Sequence, residues 1–455
     1  MSHVQVSPDS VPQQGRDKTP LRTYRRRWYV LAVFSAVTFA QGLVWNTWGP
    51  LADSGRLIFG WTGADVALLA NWGCIIYLVT CAFFSYLMDT KGLRVAAVST
   101  VNLVFVGSAI RCLTVVIGMK TWIVHLGQAV NALAGPVCFG APPLLSDVWF
   151  PIHERSTATA ISVMSSYFGV ASSYILGITF VHGPEHNNGT NSSYAVGEVT
   201  GDVSIQRSDI ERLLFTECAL GGVLSILVLT YFPAKPPSPP SVSAFLPRAN
   251  YRYLIPRLLR NCQLWCIVAA GGLASGIYGT WLSLLDTNLG PFGFTQREAG
   301  LLGVYSSLAA CVSAVIISRF SDKFSRGLKF MLIGLSAVGT LSYLMFSLLC
   351  QRTIAYSAVF VYITCILGGM VVNAAIPLYY EFVCDCGYPL PEGASATFLT
   401  IFNNVVGFSF YMILQIPAVG TEWINWTLVG AVAAGMVLLW QTKNTYSRSK
   451  IDHGT

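Results

Sequence analysis

Charged residues are scarce in this chain of 455 residues. They make up 11% of the sequence, whereas soluble domains carry roughly 25%. Hydrophobic residues account for 53%, and the mean hydropathy is +0.56. This deficit of charge excludes an ordinary soluble protein and indicates that most of the surface faces lipid. The first residues also lack the apolar segment of a cleavable signal peptide, so we expect the first spanning helix to direct membrane insertion.

Several functional motifs are missing as well. The sequence has no phosphate-binding loop of the form G-x-x-x-x-G-K-[ST], which argues against transport driven by ATP hydrolysis. It has no G-x-S-x-G or H-E-x-x-H motif for hydrolysis. Its twelve cysteines are scattered, and Cys384 and Cys386 lack the spacing and partners of a zinc site. We therefore expect no enzyme activity, no metal and no cofactor.

Long apolar segments, by contrast, fill the chain. Twelve of them have the ~17–25 residues that are needed to cross a hydrocarbon core. With the N-terminus in the cytosol, 21 of the 28 Lys and Arg residues lie on the cytosolic side, so both termini are predicted to be cytosolic. This pattern predicts an all-α membrane protein with twelve transmembrane helices. The predicted helices are 28–50, 65–87, 93–113, 121–146, 157–180, 212–232, 262–285, 298–318, 328–349, 355–379, 394–416 and 424–441.

Two short charged turns occur at equivalent places in the two halves. Ser85–Arg94 follows the second helix and Ser318–Gly327 follows the eighth. Two copies of one unit, each with acidic and basic residues in the same turn, are typical of an alternating-access transporter. We interpret both turns as conformational latches, although a charged turn can also serve only to orient the chain in the membrane. The latch residues are Asp89, Gly92, Arg94, Asp322 and Arg326.

The repeat also predicts the domain boundaries. The two pseudo-symmetric six-helix bundles are 28–232 and 262–441. Prolines favour an extended path for the segment between them, 233–261, and its arginines favour a cytosolic linker. The remaining segments, 1–27 and 442–455, are predicted to be cytosolic tails, the first of them disordered.

The longest predicted loop on the side opposite the cytosol is 181–211. It contains the sequons Asn188-Gly-Thr190 and Asn191-Ser-Ser193. Because two sequons lie in one loop that the charge count places outside the cytosol, we predict glycosylation at Asn188 and Asn191.

Polar residues and helix breakers inside the apolar segments indicate a binding cavity. Gln41–Pro50 gathers amides, aromatic rings, Gly and Pro in the first helix, and Ala134-Gly135-Pro136 interrupts the fourth. Such interruptions in symmetry-related helices are typical of a transporter binding site, although close helix packing also uses small residues. The predicted substrate-binding residues are Trp45, Asn46, Gln128, Asn131, Tyr278, Asn373 and Asn404.

Two aromatic residues are predicted to lie at equal depth in the two halves. Trp45 is 17 residues from Trp28, and Tyr278 is 16 residues from Cys262, which places both rings ~25 Å from the cytosolic edge. Two such rings can sandwich a flat ring or a cation. An interfacial aromatic belt is the alternative explanation.

Few ionisable residues lie inside the predicted helices. Glu217 is the first candidate for proton coupling, because a carboxylate buried at membrane depth needs a function or a partner. Pairing with Arg212 is the structural alternative. Asp286 is a second candidate near a helix end. Arg111 and His125 are expected at the membrane interface.

Several motifs resemble known families. The turn Ser85–Arg94 resembles the major facilitator superfamily signature Gly-x-x-x-Asp-(Arg/Lys)-x-Gly-(Arg/Lys), with Ser85 in place of the first Gly. Ala40–Pro50, Trp149–Thr159 and Pro377–Phe382 are similar to solute carrier family 49, a group of haem, choline and vitamin transporters. This resemblance covers the chain apart from its N-terminal tail.

The family resemblance implies a proton-coupled carrier that moves pyridoxine (vitamin B6) across the lysosomal membrane to the cytosol. Choline-handling relatives use a Trp and a Tyr that match Trp45 and Tyr278, but their two glutamines read Gly135 and Asn404 in this chain. That departure favours a ring-shaped substrate. The alternatives are a choline or haem transporter, a plasma-membrane location, and a receptor that does not transport. Substrate, protons and lipid are the expected partners, and no nucleic acid is expected.

Overall fold

A computed structural model of the chain describes residues 21–117, 120–181, 196–245, 254–283, 285, 289, 294, 296–323, 327–355, 357–414, 423–443 and 447–453. This part of the chain is nearly all helical. Twelve of its helical segments are long and apolar enough to cross a membrane, six in each half of the chain. The predicted fold class and number of membrane helices are therefore confirmed.

The helices of the N-terminal half are α1 (Arg26–Trp45), α2 (Ala52–Phe59), α3 (Gly63–Lys91), α4 (Leu93–Ile117), α5 (Thr121–Ala132), α6 (Gly135–Trp149), α7 (Arg155–Phe180) and α8 (Val196–Thr230). Those of the linker and the C-terminal half are α9 (Val242–Phe245), α10 (Leu254–Arg260), α11 (Cys262–Ser283), α12 (Gln296–Lys323), α13 (Leu328–Cys350), α14 (Ala358–Gly387), α15 (Glu392–Leu414), α16 (Ile424–Gln441) and α17 (Ser447–His453).

Helix breaks occur at two of the places that the sequence marks. The fourth membrane segment is split between α5 and α6 at Leu133 and Ala134, directly before Gly135-Pro136. The first membrane helix ends at Trp45 rather than at residue 50. Gly49-Pro50 follows this end, and proline disfavours helical backbone at the residue before it.

Three further segments differ from the prediction. The predicted loop 181–211 is helical from Val196, where a polar extension of α8 carries an Arg207–Glu211 pair of 3.2 Å one turn apart. The sequons at Asn188 and Asn191 lie outside the described residues. Helix α14 runs through Pro377 to Gly387, eight residues past its predicted end. Part of the predicted C-terminal tail forms α17, which packs against α14 and α9.

Each half has its own buried core. In the first half, α1 packs against α7, and α4 packs against α5 and α8; Phe34 is completely buried there. In the second half, α11 packs against α15 and α16, and α12 and α13 pack against α14 around the buried Trp281. Large apolar side chains on the outside, such as Val79 (76% exposed) and Trp440 (71% exposed), face the lipid that this fold requires.

The two halves meet through helices that the repeat relates. Helix α7 packs against α12, and α3 and α6 pack against α15. The charge count assigns the start of α7 and the ends of α3 and α12 to the cytosolic side. We call this side of the molecule the predicted cytosolic face.

Candidate functional site

Asp322 joins the two halves at the predicted cytosolic face. Its carboxylate, at the end of α12, accepts hydrogen bonds from the backbone N–H groups of Ser156 (2.8 Å) and Thr157 (2.9 Å), and from the Thr157 hydroxyl. These N–H groups begin α7, where backbone donors have no partner within the helix and carry partial positive charge. Asp322 is only 6% exposed. The contact therefore ties the C-terminal half to the first turn of a helix in the N-terminal half.

Asp89 makes the symmetry-related contact from the other half. One of its carboxylate oxygens lies 2.6 Å from the point that a Cβ atom on Gly393 would occupy. Gly393 is in the first turn of α15, so the acid faces a helix N-terminus in the opposite half. Each of the two turn acids thus lies against the start of a helix from the other half. The charged turn that is repeated in the sequence therefore makes a similar contact with the opposite half in both of its copies.

The other latch residues differ in their placement. Gly92 has φ +83°, a left-handed conformation that favours glycine, and it separates α3 from α4. Arg94 is exposed at the start of α4. Arg326 lies outside the described residues. A latch function for Arg94 and Arg326 therefore stays a prediction.

Replacing Gly393 by Ala tests the Asp89 contact. The added Cβ is expected to push the carboxylate away from α15, which lowers the free energy of unfolding by about 1 kcal/mol, a typical charge–helix interaction. Gly334→Ala is the matched control, because a Cβ on that helical glycine meets nothing within 4 Å. Thermal unfolding in detergent measures both. Equal behaviour of the two variants would show that the Asp89 contact does not stabilise the protein.

A layer of buried polar side chains also joins the two halves, in addition to the contacts of Asp322 and Asp89. Glu381 of α14 is 2% exposed and accepts hydrogen bonds from the hydroxyls of Ser146 (3.1 Å) and Thr159 (2.7 Å), both in the N-terminal half. Arg155 at the start of α7 pairs with Asp147 at 2.9 Å. Together with the two turn acids, this layer closes the molecule at the predicted cytosolic face.

Glu217 has an ionic partner that the sequence did not indicate. Its carboxylate lies 2.9 Å from Arg111 and accepts a hydrogen bond from the Thr47 hydroxyl at 2.6 Å. Arg111 also donates to the backbone carbonyl of Val44 at 3.1 Å and to Thr47 at 3.3 Å. Since Arg111 is 0% exposed and Glu217 is 2% exposed, the pair is fully buried where α1, α4 and α8 meet.

This geometry corrects two expectations. Arg111 was predicted to lie at the membrane interface, and that prediction was wrong. Arg212 is not the partner of Glu217, because Arg212 lies on the surface, 3.9 Å from Asp209. Asp286, the second candidate for proton coupling, is outside the described residues.

Two further titratable groups lie near the opposite side of the membrane. His125 is half-buried and accepts a hydrogen bond from the Trp72 indole at 3.1 Å. Asp65 caps α3, and hydrogen bonds from the hydroxyl and backbone N–H of Thr62 lower its pKa. A lowered pKa makes Asp65 a poor proton carrier near neutral pH.

The predicted substrate residues of the N-terminal half gather around the end of α1. The carbonyl of Trp45 accepts a hydrogen bond from Gln128 at 2.7 Å, and a Cβ on Gly73 would lie 2.7 Å from the Trp45 ring nitrogen. The Asn46 amide donates to Ser173 at 2.9 Å. The structure therefore brings Trp45, Asn46 and Gln128 together at the end of α1.

Asn131 lies one turn after Gln128 in α5, next to Gly107 of α4. It is 0% exposed, and neither its amide nitrogen nor its oxygen has a hydrogen-bond partner among the described residues. The side-chain oxygen of Gln128 likewise has none in that part of the chain. Because an unpaired buried polar group is costly, these amides are suited to hydrogen-bond a bound molecule or water.

The predicted residues of the C-terminal half are arranged differently. Tyr278 is 3% exposed, stacks on Trp281 with ring centroids 6.3 Å apart, and its hydroxyl lies 3.4 Å from Ser306 and close to Asn373. Among the described residues no ring contact joins Tyr278 to Trp45. The aromatic sandwich is therefore not formed in this conformation. The Asn404 amide donates to the Thr400 carbonyl within its own helix at 2.8 Å.

A hydroxyl cluster between the halves was missed by the sequence reasoning. The hydroxyls of Tyr380 and Thr400 are hydrogen-bonded at 2.8 Å, and Tyr77 of α3 lies close to Thr400 and Thr397 of α15. All four side chains are buried. Tyr and Thr are common in apolar helices, so no local signal distinguishes them.

Comparison with known proteins agrees with this architecture. Residues 37–413 match the sequence model of the family described as Major Facilitator Superfamily. The protein of Xenopus tropicalis described as "Solute carrier family 49 member 4 homolog" is 35% identical over 95% of this chain and 94% of its own length. The chain belongs to solute carrier family 49 of the major facilitator superfamily.

More distant similarities are consistent with this membership. The "Choline/ethanolamine transporter flvcr2a" of Danio rerio is 25% identical over 90% of this chain and 84% of its own. The E. coli fucose:proton symporter FucP superimposes with a TM-score of 0.69 at 13% identity, covering 92% of this chain and all of FucP. The proton:xylose symporter XylE gives 0.69 at 11% identity, covering 93% and 98%. At these identities the superpositions establish the fold alone. This solute carrier 49 protein is thus a multi-pass membrane transporter.

Proposed function

We propose that this family 49 transporter carries a small organic solute by alternating access, coupled to protons, and that the solute is pyridoxine crossing the lysosomal membrane. The proposal of alternating access is supported by the pair of matched contacts, Asp322 with α7 and Asp89 with α15. Both contacts join the halves at one face and must break for that face to open. The lysosomal location rests on the resemblance to family 49 alone.

The substrate assignment is supported by the site at the end of α1. Trp45 offers an aromatic face there. The Asn131 amide and the side-chain oxygen of Gln128 have no hydrogen-bond partner among the described residues. Pyridoxine has a flat ring with a ring nitrogen and hydroxyl groups, which match an aromatic face and unpaired amide atoms. Choline is the second candidate, favoured by a relative whose name describes choline and ethanolamine transport.

Proton coupling is assigned to Glu217 because its partners, Arg111 and Thr47, contact the end of α1 next to Trp45 and Asn46. Val44 precedes Trp45 in the sequence, and Thr47 follows Asn46. Arg111 donates hydrogen bonds to the Val44 carbonyl and to the Thr47 hydroxyl. Protonation of Glu217 removes the charge that pairs with Arg111, which frees Arg111 and Thr47 to rearrange at the end of α1. In the described part of the chain, the thiols of Cys112 and Cys218 also lie beside the pair.

Uptake into liposomes tests this function. Purified protein should accumulate labelled pyridoxine when the outside is acidic and lose most of that uptake when the pH gradient is dissipated. Excess choline serves as a competitor that separates the two substrates. Uptake that ignores the gradient contradicts proton coupling, and the absence of pyridoxine uptake alongside choline uptake contradicts the substrate assignment.

Trp45→Ala is expected to raise the half-saturating pyridoxine concentration about ten-fold, the loss of one aromatic stacking contact. Trp440→Ala is the matched control, since that ring is 71% exposed to lipid. The same liposome uptake measured over a concentration series gives both values. An unchanged half-saturating concentration in Trp45→Ala would remove Trp45 from the site.

A further inference from the structure

The short helix α17 is inserted into the closed face rather than extending from it. Arg448 is 4% exposed, and the side chain of Asp452 is fully buried. Sequence alone predicts a polar tail for this segment. The structure instead places two of its charged side chains inside the contact between the halves.

Arg448 contacts carboxylates from both halves. Its guanidinium lies 2.6 Å from Glu381 of α14 and 3.9 Å from Glu392 of α15. It also lies 3.9 Å from Asp147 of α6 in the N-terminal half. A single side chain therefore bridges the boundary along which the two halves must separate.

The other end of α17 is bound to the N-terminal half and to the linker. Asp452 pairs with Arg155 at 3.0 Å and accepts hydrogen bonds from the backbone N–H of Ser243 (2.6 Å) and its hydroxyl (2.8 Å). Between these ends, the backbone N–H and the hydroxyl of Ser449 donate to Asp385 of α14 at 2.9 and 2.8 Å. The helix is thus fixed at three points to three different parts of the chain.

The buried carboxylates at the closed face need the positive charge that Arg448 of α17 supplies. Four buried carboxylates, of Asp147, Glu381, Asp385 and Glu392, lie around Arg448 at this face. Arg155 pairs with Asp147 among them and with Asp452 of α17, whereas Arg448 is the cation that pairs with Glu381. Removing one partner from a buried charge network is costly. Opening the face moves Asp147 away from Glu381, so Arg448 cannot keep both contacts.

We propose that α17 is a clasp that locks the two halves together at the predicted cytosolic face, and that its release is a step in opening that face. The proposal rests on the alternating-access function proposed above. It adds a third element to the two turn contacts, because the clasp is contributed by neither bundle and can leave without unfolding a membrane helix.

The test measures the distance between the halves in the full-length protein. Fluorophores are introduced as non-canonical amino acids at Val95 (42% exposed) and Phe330 (60% exposed), which begin α4 and α13 in opposite halves. Arg448→Gln is expected to raise the ratio of open to closed molecules roughly ten-fold, as the loss of a charge-assisted hydrogen bond does. Lys443→Gln is the control, since Lys443 is an exposed cation just before α17.

A milder variant covers the case in which Arg448→Gln fails to fold. Asp452→Asn keeps the hydrogen-bond acceptor for Ser243 but removes the charge that pairs with Arg155, and it is expected to shift the ratio in the same direction by a smaller factor. Unchanged distances in these variants alongside a shift in Asp322→Asn would overturn the clasp and leave alternating access standing. Unchanged distances in all three would overturn both proposals.

Discussion

Arg111→Met is expected to lower the free energy of unfolding by about 3–5 kcal/mol, the cost of leaving a buried charge without its partner. Glu217 would keep only the hydrogen bond from Thr47 in a site that is 2% exposed. The Val44 carbonyl would also lose its donor from Arg111. Denaturant unfolding in micelles measures the change, and it should be accompanied by loss of uptake.

An exposed ion pair supplies the control for Arg111→Met. Arg207 pairs with Glu211 at 3.2 Å on the polar extension of α8, where its side chain is 45% exposed. Surface pairs contribute about 0–1 kcal/mol, so Arg207→Met should unfold almost like the unmodified protein. Equal losses in both variants would show that the buried pair has no special importance for stability.

The double variant Arg111→Met with Glu217→Leu separates stability from proton coupling. Replacing both members of a buried ion pair by apolar residues is often neutral or stabilising, so most of the lost stability should return. Gradient-driven uptake should not return, because the carboxylate is gone. Uptake that still responds to the pH gradient in this variant would move the coupling role away from Glu217.

The membrane helices could be predicted from sequence because each needs only a local signal. A run of about 20 apolar residues must bury its backbone polar groups in a helix wherever it lies in the bilayer. The repeat of the Asp89 turn at Asp322 can also be read directly from the sequence, and in the structure each acid lies against the start of a helix from the other half.

The site was less predictable because it depends on packing between distant segments. Arg111 and Glu217 are 106 residues apart, and no spacing rule connects them. For Tyr278, the sequence gives a depth in the membrane but not a rotation about the helix axis. Its ring packs against Trp281 and Tyr343 of its own half and makes no ring contact with Trp45 among the described residues. Helix α17 was not predicted, because Ile451 is the one apolar residue among its seven and a single residue shows no apolar periodicity.

Asp322→Asn is expected to shift the equilibrium between closed and open forms about 30- to 100-fold toward opening at the predicted cytosolic face. The carboxylate accepts from two backbone N–H groups and the Thr157 hydroxyl. An asparagine keeps one oxygen acceptor and points an N–H₂ group at the remaining donor. Hydrogen bonds to a charged group contribute about 1.5–3 kcal/mol, and about 1.4 kcal/mol is a ten-fold change. The fluorophores at Val95 and Phe330 report the shift as a longer distance.

Asp65→Asn distinguishes this effect from a general loss of stability. Asp65 is also hydrogen-bonded at a helix N-terminus, but it caps α3 within its own half through Thr62. If the turn acids act by joining the halves, Asp65→Asn should leave the distance unchanged, whereas Asp89→Asn should shift it in the same direction as Asp322→Asn. A shift of equal size in Asp65→Asn would mean that helix capping itself sets the equilibrium. A shift in Asp322→Asn without one in Asp89→Asn would mean that only one of the two symmetry-related contacts holds the face closed.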